Sequence, residues 1–245
     1  MLLLATDLDG TFLGGTNAHK QQLYRLILET PGLKLIFVTG RGLGSVMPLL
    51  HDAEIPTPDY IICDVGATVL NGKTLEPIQP LQSQIEKKWP GSTLIRQKLK
   101  PVNGLRYQEV PQNRRCSFFL DKQTDMSHLT EVASALGCDV LVSAGKFIDI
   151  LPHGVNKGST LTKLIGFLNL SPGSILVAGD TMNDLSLYET GYKGVVVGEA
   201  EELLLNAVSG LKSVYIAEES GAGGILEAMA NDAGFKSFIS GSSTN

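Results

Sequence analysis

The stretch Leu2-Leu3-Leu4-Ala5-Thr6-Asp7-Leu8-Asp9-Gly10-Thr11 decides how this chain is read. Its apolar run, Leu2 to Ala5, predicts a buried parallel strand. Asp7 and Asp9 then emerge at the carboxyl end of that strand, where open α/β sheets bind their ligands. Two carboxylates so close repel each other unless a cation or a shared proton relieves them. The pair therefore points to a metal ion and to one carboxylate acting as a nucleophile. Read locally, Asp9-Gly10 is also ordinary turn chemistry.

Outward from this stretch, strand and helix patterns alternate. Periodicity predicts a helix over Lys20–Glu29, a strand over Leu33–Val38, a helix over Leu43–His51 and a strand over Tyr60–Cys63. Asn71-Gly72 suggests a hairpin turn within Val69–Lys73. Near Leu81 the rhythm changes. Helices are expected at Gln82–Trp89 and Thr93–Leu99, then a polar loop holding Pro101, Asn103, Gly104, Pro111 and Asn113. A strand at Cys116–Leu120, a helix at Met126–Leu136 and strands at Asp139–Val142 and Phe147–Leu151 follow.

From Asn156 the earlier rhythm resumes. Helices are expected at Thr160–Leu168, Asp184–Glu189, Glu201–Ala207 and Gly224–Ala230, and strands at Ser174–Ala178, Gly194–Val197 and Ser213–Ile216. The end, Ser240–Asn245, is rich in Ser and Gly and is expected to fray. The fold class is thus α/β: a doubly wound, Rossmann-like parallel-sheet core over residues 1–80 and 153–245. A smaller α/β cap domain, residues 81–152, is inserted between them. Pro80–Leu81 and Pro152–Gly154 are the expected hinges.

Composition narrows the function. The 245 residues carry 43% hydrophobic and 18% charged side chains, a globular balance rather than a disordered one. A formal net charge of −5 argues against a nucleic-acid surface. Cys63, Cys116 and Cys138 are scattered, which suits reduced thiols in a cytoplasmic protein better than disulfides or zinc. The N-terminal apolar run is too short for a membrane span and lacks a basic flank, so neither membrane insertion nor secretion is expected.

Three further signals fall at predicted strand ends or helix starts. Thr39 follows the strand Leu35-Ile36-Phe37-Val38; its hydroxyl and the N–H groups of Gly40 and Arg41 suit phosphoryl oxygens, although a threonine there also suits a helix N-cap. Lys157 opens a helix, where its charge opposes the dipole and calls for an anionic partner, unless it is merely solvated. Gly179-Asp180-Thr181-Met182-Asn183-Asp184 follows the strand Ile175–Ala178, and the spacing would put Asp180 and Asp184 on one helical face.

Together the four signals describe a phosphoryl-transfer site. Asp7 would attack phosphorus in line, with Lys157 and a metal neutralising the phosphoryl oxygens. The few hard oxygen ligands suit Mg²⁺, held by the Asp7 side chain, the Asp9 backbone carbonyl and Asp180, with Asn183 and Asp184 standing behind them. Asp9 would then serve as acid and base against an aspartyl-phosphate.

In this order, Asp7–Thr11, Thr39-Gly40-Arg41, Lys157 and Gly179–Asp184 resemble the haloacid dehalogenase superfamily of aspartate-nucleophile phosphatases. Within it, Ser143–Lys146, Asp149–Pro152, Asn156–Gly158, Asp184–Glu189 and Gly221–Met229 resemble the bacterial sucrose-phosphate phosphatases. So do Leu99-Lys100-Pro101 and Arg115-Cys116-Ser117. Gly10 departs from that subgroup, which often carries asparagine there, and the loop Val102–Gln112 matches only loosely.

The resemblance implies magnesium-dependent hydrolysis of a phosphorylated disaccharide held between core and cap, with sucrose 6-phosphate as the first expectation. Lys100, Arg115, Ser117, Lys146 and Asp149 are the sugar contacts it implies, and Gly66 lies in a loop that either approaches the sugar or simply turns. Mannosylfructose phosphate and mannosyl-phosphoglycerate are alternative substrates, a sugar phosphomutase an alternative activity, and a non-catalytic sugar-phosphate-binding regulator an alternative class. The expected partner is the small-molecule substrate, with the synthase that makes it as a further candidate; the expected state is a monomer.

Overall fold

A computed structural model describes residues 2–109, 114–143, 145–171 and 175–236. Two sheets organise it. Strands β1 (Leu2–Thr6), β2 (Leu33–Val38), β3 (Tyr60–Cys63) and β4 (Thr68–Asn71) belong to the larger, with β9 (Ile175–Gly179), β10 (Lys193–Gly198) and β11 (Val214–Ser220). Their order is β11-β10-β9-β1-β2-β3-β4. Every pairing is parallel except that of β3 with β4.

Helices cover both faces, which is why these strands read as continuous apolar runs. On one face α1 (Asn17–Glu29), α2 (Leu43–Leu50) and α9 (Ala222–Asn231) seat Leu23, Ile27, Val46 and Ile225 against Leu4, Leu35 and Phe37. On the other, α6 (Lys157–Phe167), α7 (Leu185–Tyr188) and α8 (Glu202–Val208) seat Leu161, Leu187 and Leu204 against Leu3, Ile36 and Val177. Each such fully buried side chain is worth about 1.5–3 kcal/mol of transfer free energy.

The smaller sheet comprises β5 (Leu105–Tyr107), β6 (Cys116–Leu120), β7 (Cys138–Ser143) and β8 (Phe147–Pro152), antiparallel in the order β5-β6-β8-β7. Alternation assigns its two faces. Cys116, Phe118, Ile148, Ile150, Cys138 and Val140 join Ile95 of α4 (Ser92–Leu99) and Leu129 of α5 (Met126–Ala135) in a third core. Ser117, Asp149, Phe147 and Ser143 alternate with them and line a cavity against the larger sheet. Leu81 and Ile85 of α3 (Leu81–Glu86) pack with the larger sheet's core.

The α/β architecture with a small antiparallel sheet agrees with the expectation, and β2, β3 and β6 agree to the residue. Three local readings need correction. The Asn71-Gly72 pair does not make a two-residue hairpin: Asn71 Oδ1 accepts from Lys73 N and Thr74 N, and the chain returns further on, where Asn71 N bonds to the Glu76 carbonyl and Leu70 bridges to Pro77. Strand β5 falls in the stretch read as polar loop, because three residues are too few to show alternation. Helix α6 starts at Lys157, the lysine expected to open a helix and three residues before the pattern counted from Thr160, because Asn156 and Ser159 form a capping box. Pro111, Asn113, Ser174 and the Ser240–Asn245 tail lie outside the described residues.

Candidate active site

The parallel strand β1 delivers Asp7 to the edge of the sheet, with Asp7 N bonded to the Ala178 carbonyl of neighbouring β9. The chain then turns tightly: Phe12 N returns to Asp7 O and Leu13 N to Leu8 O. Gly10 makes this turn possible. Its φ is +76°, and a Cβ there would sit 2.1 Å from Asp180 Oδ2.

Around Asp7 the structure gathers residues from three stretches, Asp7–Thr11, Lys157 and Asp180–Asp184. Lys157 Nζ lies 2.7 Å from Asp7 Oδ1, 2.6 Å from Asp184 Oδ1 and 2.6 Å from Asn183 Oδ1. Lys157 and Asp184 are wholly buried and Asp7 nearly so. Asp184 Oδ2 accepts from the N–H groups of Asp180 and Thr181, and Asp180 Oδ1 accepts from Thr11 Oγ1 at 2.8 Å. Asp180 and Asp184 are therefore not paired on one helical face, as their spacing suggested. Asp180 stands before the helical turn Met182–Asp184, whose N-cap is Thr181, and Asp184 folds back to hold that loop.

Burial governs the electrostatics. It pushes the Asp7 carboxyl up to about 8; Asp184 and Asp180 add to the rise, and Lys157 opposes it. Burial likewise lifts Asp180 to about 6, helped by Asp184 and resisted by the Thr11 hydrogen bond. Lys157 moves the other way from the usual buried lysine. Burial alone would lower it, but Asp184 and Asp7 outweigh that cost and hold it charged. Carboxylate oxygens of Asp7, Asp180 and Asp184 all lie within 4.8 Å of one another. Three acids against one ammonium make a donor set that fits a hard divalent cation such as Mg²⁺.

The other expected residues fall into two groups. Thr39 is buried at the end of β2, with its N–H on the Ile62 carbonyl and its hydroxyl accepting from Arg41 N. It does not cap α2, whose N-cap is Gly42. Asp9 turns outward, where its carboxylate takes two hydrogen bonds from the Arg41 guanidinium, at 2.8 and 2.5 Å. Asp7, Asp9, Gly40 and Arg41 line one side of a cavity of about 370 Å³, and Gln108, Arg115, Ser117, Ser143, Phe147 and Asp149 line the other. That volume falls within the usual range for small-ligand clefts, about 300–1,000 Å³.

Lys100 and Lys146 do not line it. Lys100 is exposed at the end of α4, and Lys146 is exposed with its ammonium 5.0 Å from the Phe147 ring centroid. Gly66 packs on backbone instead of facing the cavity: a Cβ there would lie 2.4 Å from Asn156 O. Sequence reasoning assigned no role to Thr11, Asp64, Gln108 or Phe147. Thr11 was within reach, being part of the opening stretch; Asp64 was not, because its partner Arg115 comes from the other sheet.

Comparison with known proteins adds to this geometry. Residues 1–231 match a family model described as sucrose-6F-phosphate phosphohydrolase. The glucosylglycerol-phosphate synthase of Pseudomonas anguilliseptica is 48% identical over 231 residues, 94% of this chain but only 30% of that protein. The mannosylfructose-phosphate phosphatase of Agrobacterium fabrum is 28% identical over 93% of this chain and 95% of its own length. The structure of the sucrose-phosphatase from Synechocystis sp. in complex with sucrose and phosphate superposes with a TM-score of 0.85, at 30% identity, over 96% of this chain and 98% of that one.

Proposed function

Because the chain belongs to the sucrose-6F-phosphate phosphohydrolase family, we propose that it is a magnesium-dependent phosphatase acting on the phosphate monoester of a small glycoside. The observation that carries this reading is the convergence of buried Asp7, Lys157 and Asp184 with half-buried Asp180, beside the cavity between the two sheets that Asp7 lines. The larger sheet acts as the catalytic core, and residues 81–152 act as the cap.

Asp7 attacks phosphorus from the end of β1, and the ester oxygen departs with a proton from Asp9. Asp9 then takes a proton from water as that water attacks the aspartyl-phosphate, which frees Asp7 and orthophosphate. For this, Asp9 must leave the Arg41 guanidinium and turn inward, and Arg41 is then free to meet a phosphoryl oxygen. Lys157 holds Asp7 in place and offsets its charge. A magnesium ion held by Asp7 and Asp180, with Asp184 beside them, would neutralise phosphoryl charge as it develops. The Thr39 hydroxyl and the Gly40 and Arg41 N–H groups complete the phosphate site.

Sucrose 6-phosphate is the first reading of the substrate, supported by the family match and by the likeness to the sucrose-phosphatase. A second is favoured by one observation: the 48% identity to part of a protein named for glucosylglycerol phosphate. Ser117, Ser143, Gln108 and Asp149 line the cavity with the donors and acceptors a polyol needs once buried. The test is magnesium-dependent phosphate release from sucrose 6-phosphate, glucosylglycerol phosphate, mannosylfructose phosphate and mannosyl-phosphoglycerate. Isomer formation without free phosphate would make the protein a mutase, and inertness toward all four would end the reading.

A further inference from the structure

A second buried charge cluster joins the two sheets, and the hydrolytic scheme leaves it without a task. Arg115, just before β6, is 7% exposed; Asp64, in the turn between β3 and β4, is 3% exposed; Asp149, on β8, is 6% exposed. Arg115 Nη1 donates to the Gly40 carbonyl at 2.7 Å and to Asp149 Oδ1 at 3.3 Å. Its Nη2 lies 3.6 Å from Asp64 Oδ1. Thr68 Oγ1 occupies the other Asp64 oxygen, and Ser117 Oγ donates to Asp149 at 2.5 Å. One guanidinium from the smaller sheet thus engages two separate segments of the larger one.

The receiving turn is built against local preference. Asp64 (φ 52°) and Val65 (φ 57°) both adopt left-handed backbone, which is a genuine outlier for a β-branched residue. Such strain persists where surroundings over-determine it. Here Asp64 N bonds to Arg41 O and Val65 N to Thr39 O, so the turn is braced on the phosphate-site loop itself. Among the described residues Asp64 Oδ1 and Arg115 Nε have no hydrogen-bond partner. A buried carboxylate left in that state is costly without its opposite charge.

We infer that Arg115 is a positioning residue: docked on Asp64 and the Gly40 carbonyl, it latches the cap over the cavity and sets the Thr39–Arg41 loop in the same movement. Its Nη1 and Nη2 face protein partners: the Gly40 carbonyl, Asp149 and Asp64. Opening the cap withdraws the guanidinium from Asp64 and from Gly40 together, so an open molecule has an incompletely ordered phosphate site. This deepens the phosphatase reading above and depends on it only for the measurement of turnover.

The test compares Asp64→Asn, Arg115→Gln and the double variant, each checked for folding by circular dichroism. Small-angle scattering of the ligand-free proteins reads the latch without any substrate. Both single variants should have a larger radius of gyration than the wild type, and the double variant should expand no further, because one interaction is lost in all three. Asp64→Asn should lose at least about tenfold in turnover of both sucrose 6-phosphate and p-nitrophenyl phosphate, because the loop that the latch sets receives the phosphoryl group of either ester.

Unchanged scattering in both single variants overturns the latch. So does a loss confined to Arg115→Gln with Asp64→Asn behaving as wild type, which would make Arg115 a ligand for the sugar. If the wild type releases phosphate from no sugar phosphate, the phosphatase reading fails while scattering still decides the latch.

Discussion

Lys157 Nζ lies 2.7 Å from Asp7 Oδ1, although 150 positions separate the two residues along the chain. The same ammonium reaches Asp184 at 2.6 Å, so one buried cation holds the end of β1 and the loop after β9 together. The interaction is structural as well as electrostatic, and it separates the outcomes of several substitutions.

Lys157→Met removes the cation and leaves Asp7 and Asp184 buried and unpaired. Breaking a buried pair from one side costs about 3–5 kcal/mol. Urea unfolding of the metal-free protein should show a loss of that size. Turnover should fall by about 10²–10³ or more. Stability close to wild type would mean that the lysine is not the counter-ion of this cluster.

Asp7→Asn keeps the shape and removes a charge that burial disfavours. The variant should bind substrate, turn none over, and in EDTA melt no lower than wild type. Measurable turnover at the wild-type rate would rule Asp7 out as nucleophile. Its companion, Asp9→Asn, should also lose turnover while retaining magnesium, because the Asp9 carboxylate is turned toward Arg41 and away from the acid cluster.

The raised acids predict a pH dependence of stability with a definite sign. A carboxyl whose folded value lies above its unfolded one favours the fold when protonated. That contribution is full below the unfolded value and is lost as pH rises through the folded value. For Asp7 the window runs from 3.8 to about 8, and for Asp180 from 3.8 to about 6. Melting temperature in EDTA should therefore fall as pH is raised across that window. Saturating Mg²⁺ should flatten the decline, since a bound cation favours the ionised acids. A melting temperature in EDTA that climbs steadily with pH would contradict the assignment.

Gly10→Ala tests the close approach of the first turn to Asp180. The added Cβ would meet Asp180 Oδ2 at 2.1 Å and sit on a backbone with φ +76°. Asp180 must swing aside, and Mg²⁺ affinity by isothermal titration should drop by about 10- to 100-fold, the range for a displaced ligand shell. Unaltered affinity would show that Asp180 is not a ligand.

Much of this was legible along the chain because the signals are short-range. The apolar runs at β2, β3 and β6 end where their turn residues stand, so their limits could be read to the residue. Helix α1 begins three residues earlier than its apolar pattern, because Thr16 caps it through the His19 N–H. Capping chemistry outweighed periodicity there, as it did at Asn156. The acid cluster was foreseeable in membership but not in form. The spacing of Asp180 and Asp184 suits a helix, yet hydrogen bonds to the Asp180 and Thr181 N–H groups turn Asp184 back on the loop.

What the order of residues determined by itself is the alternation of strands and helices and the delivery of acids and a lysine to strand ends and helix starts. These follow from hydrophobic periodicity and local backbone preference, which act within a few residues. What only the tertiary structure decided is which charges meet in the interior: Lys157 with Asp7 and Asp184, and Arg115 with Asp64 across the two sheets. Charge pairing becomes strong only where burial removes water, and burial is a property of packed layers rather than of neighbouring residues.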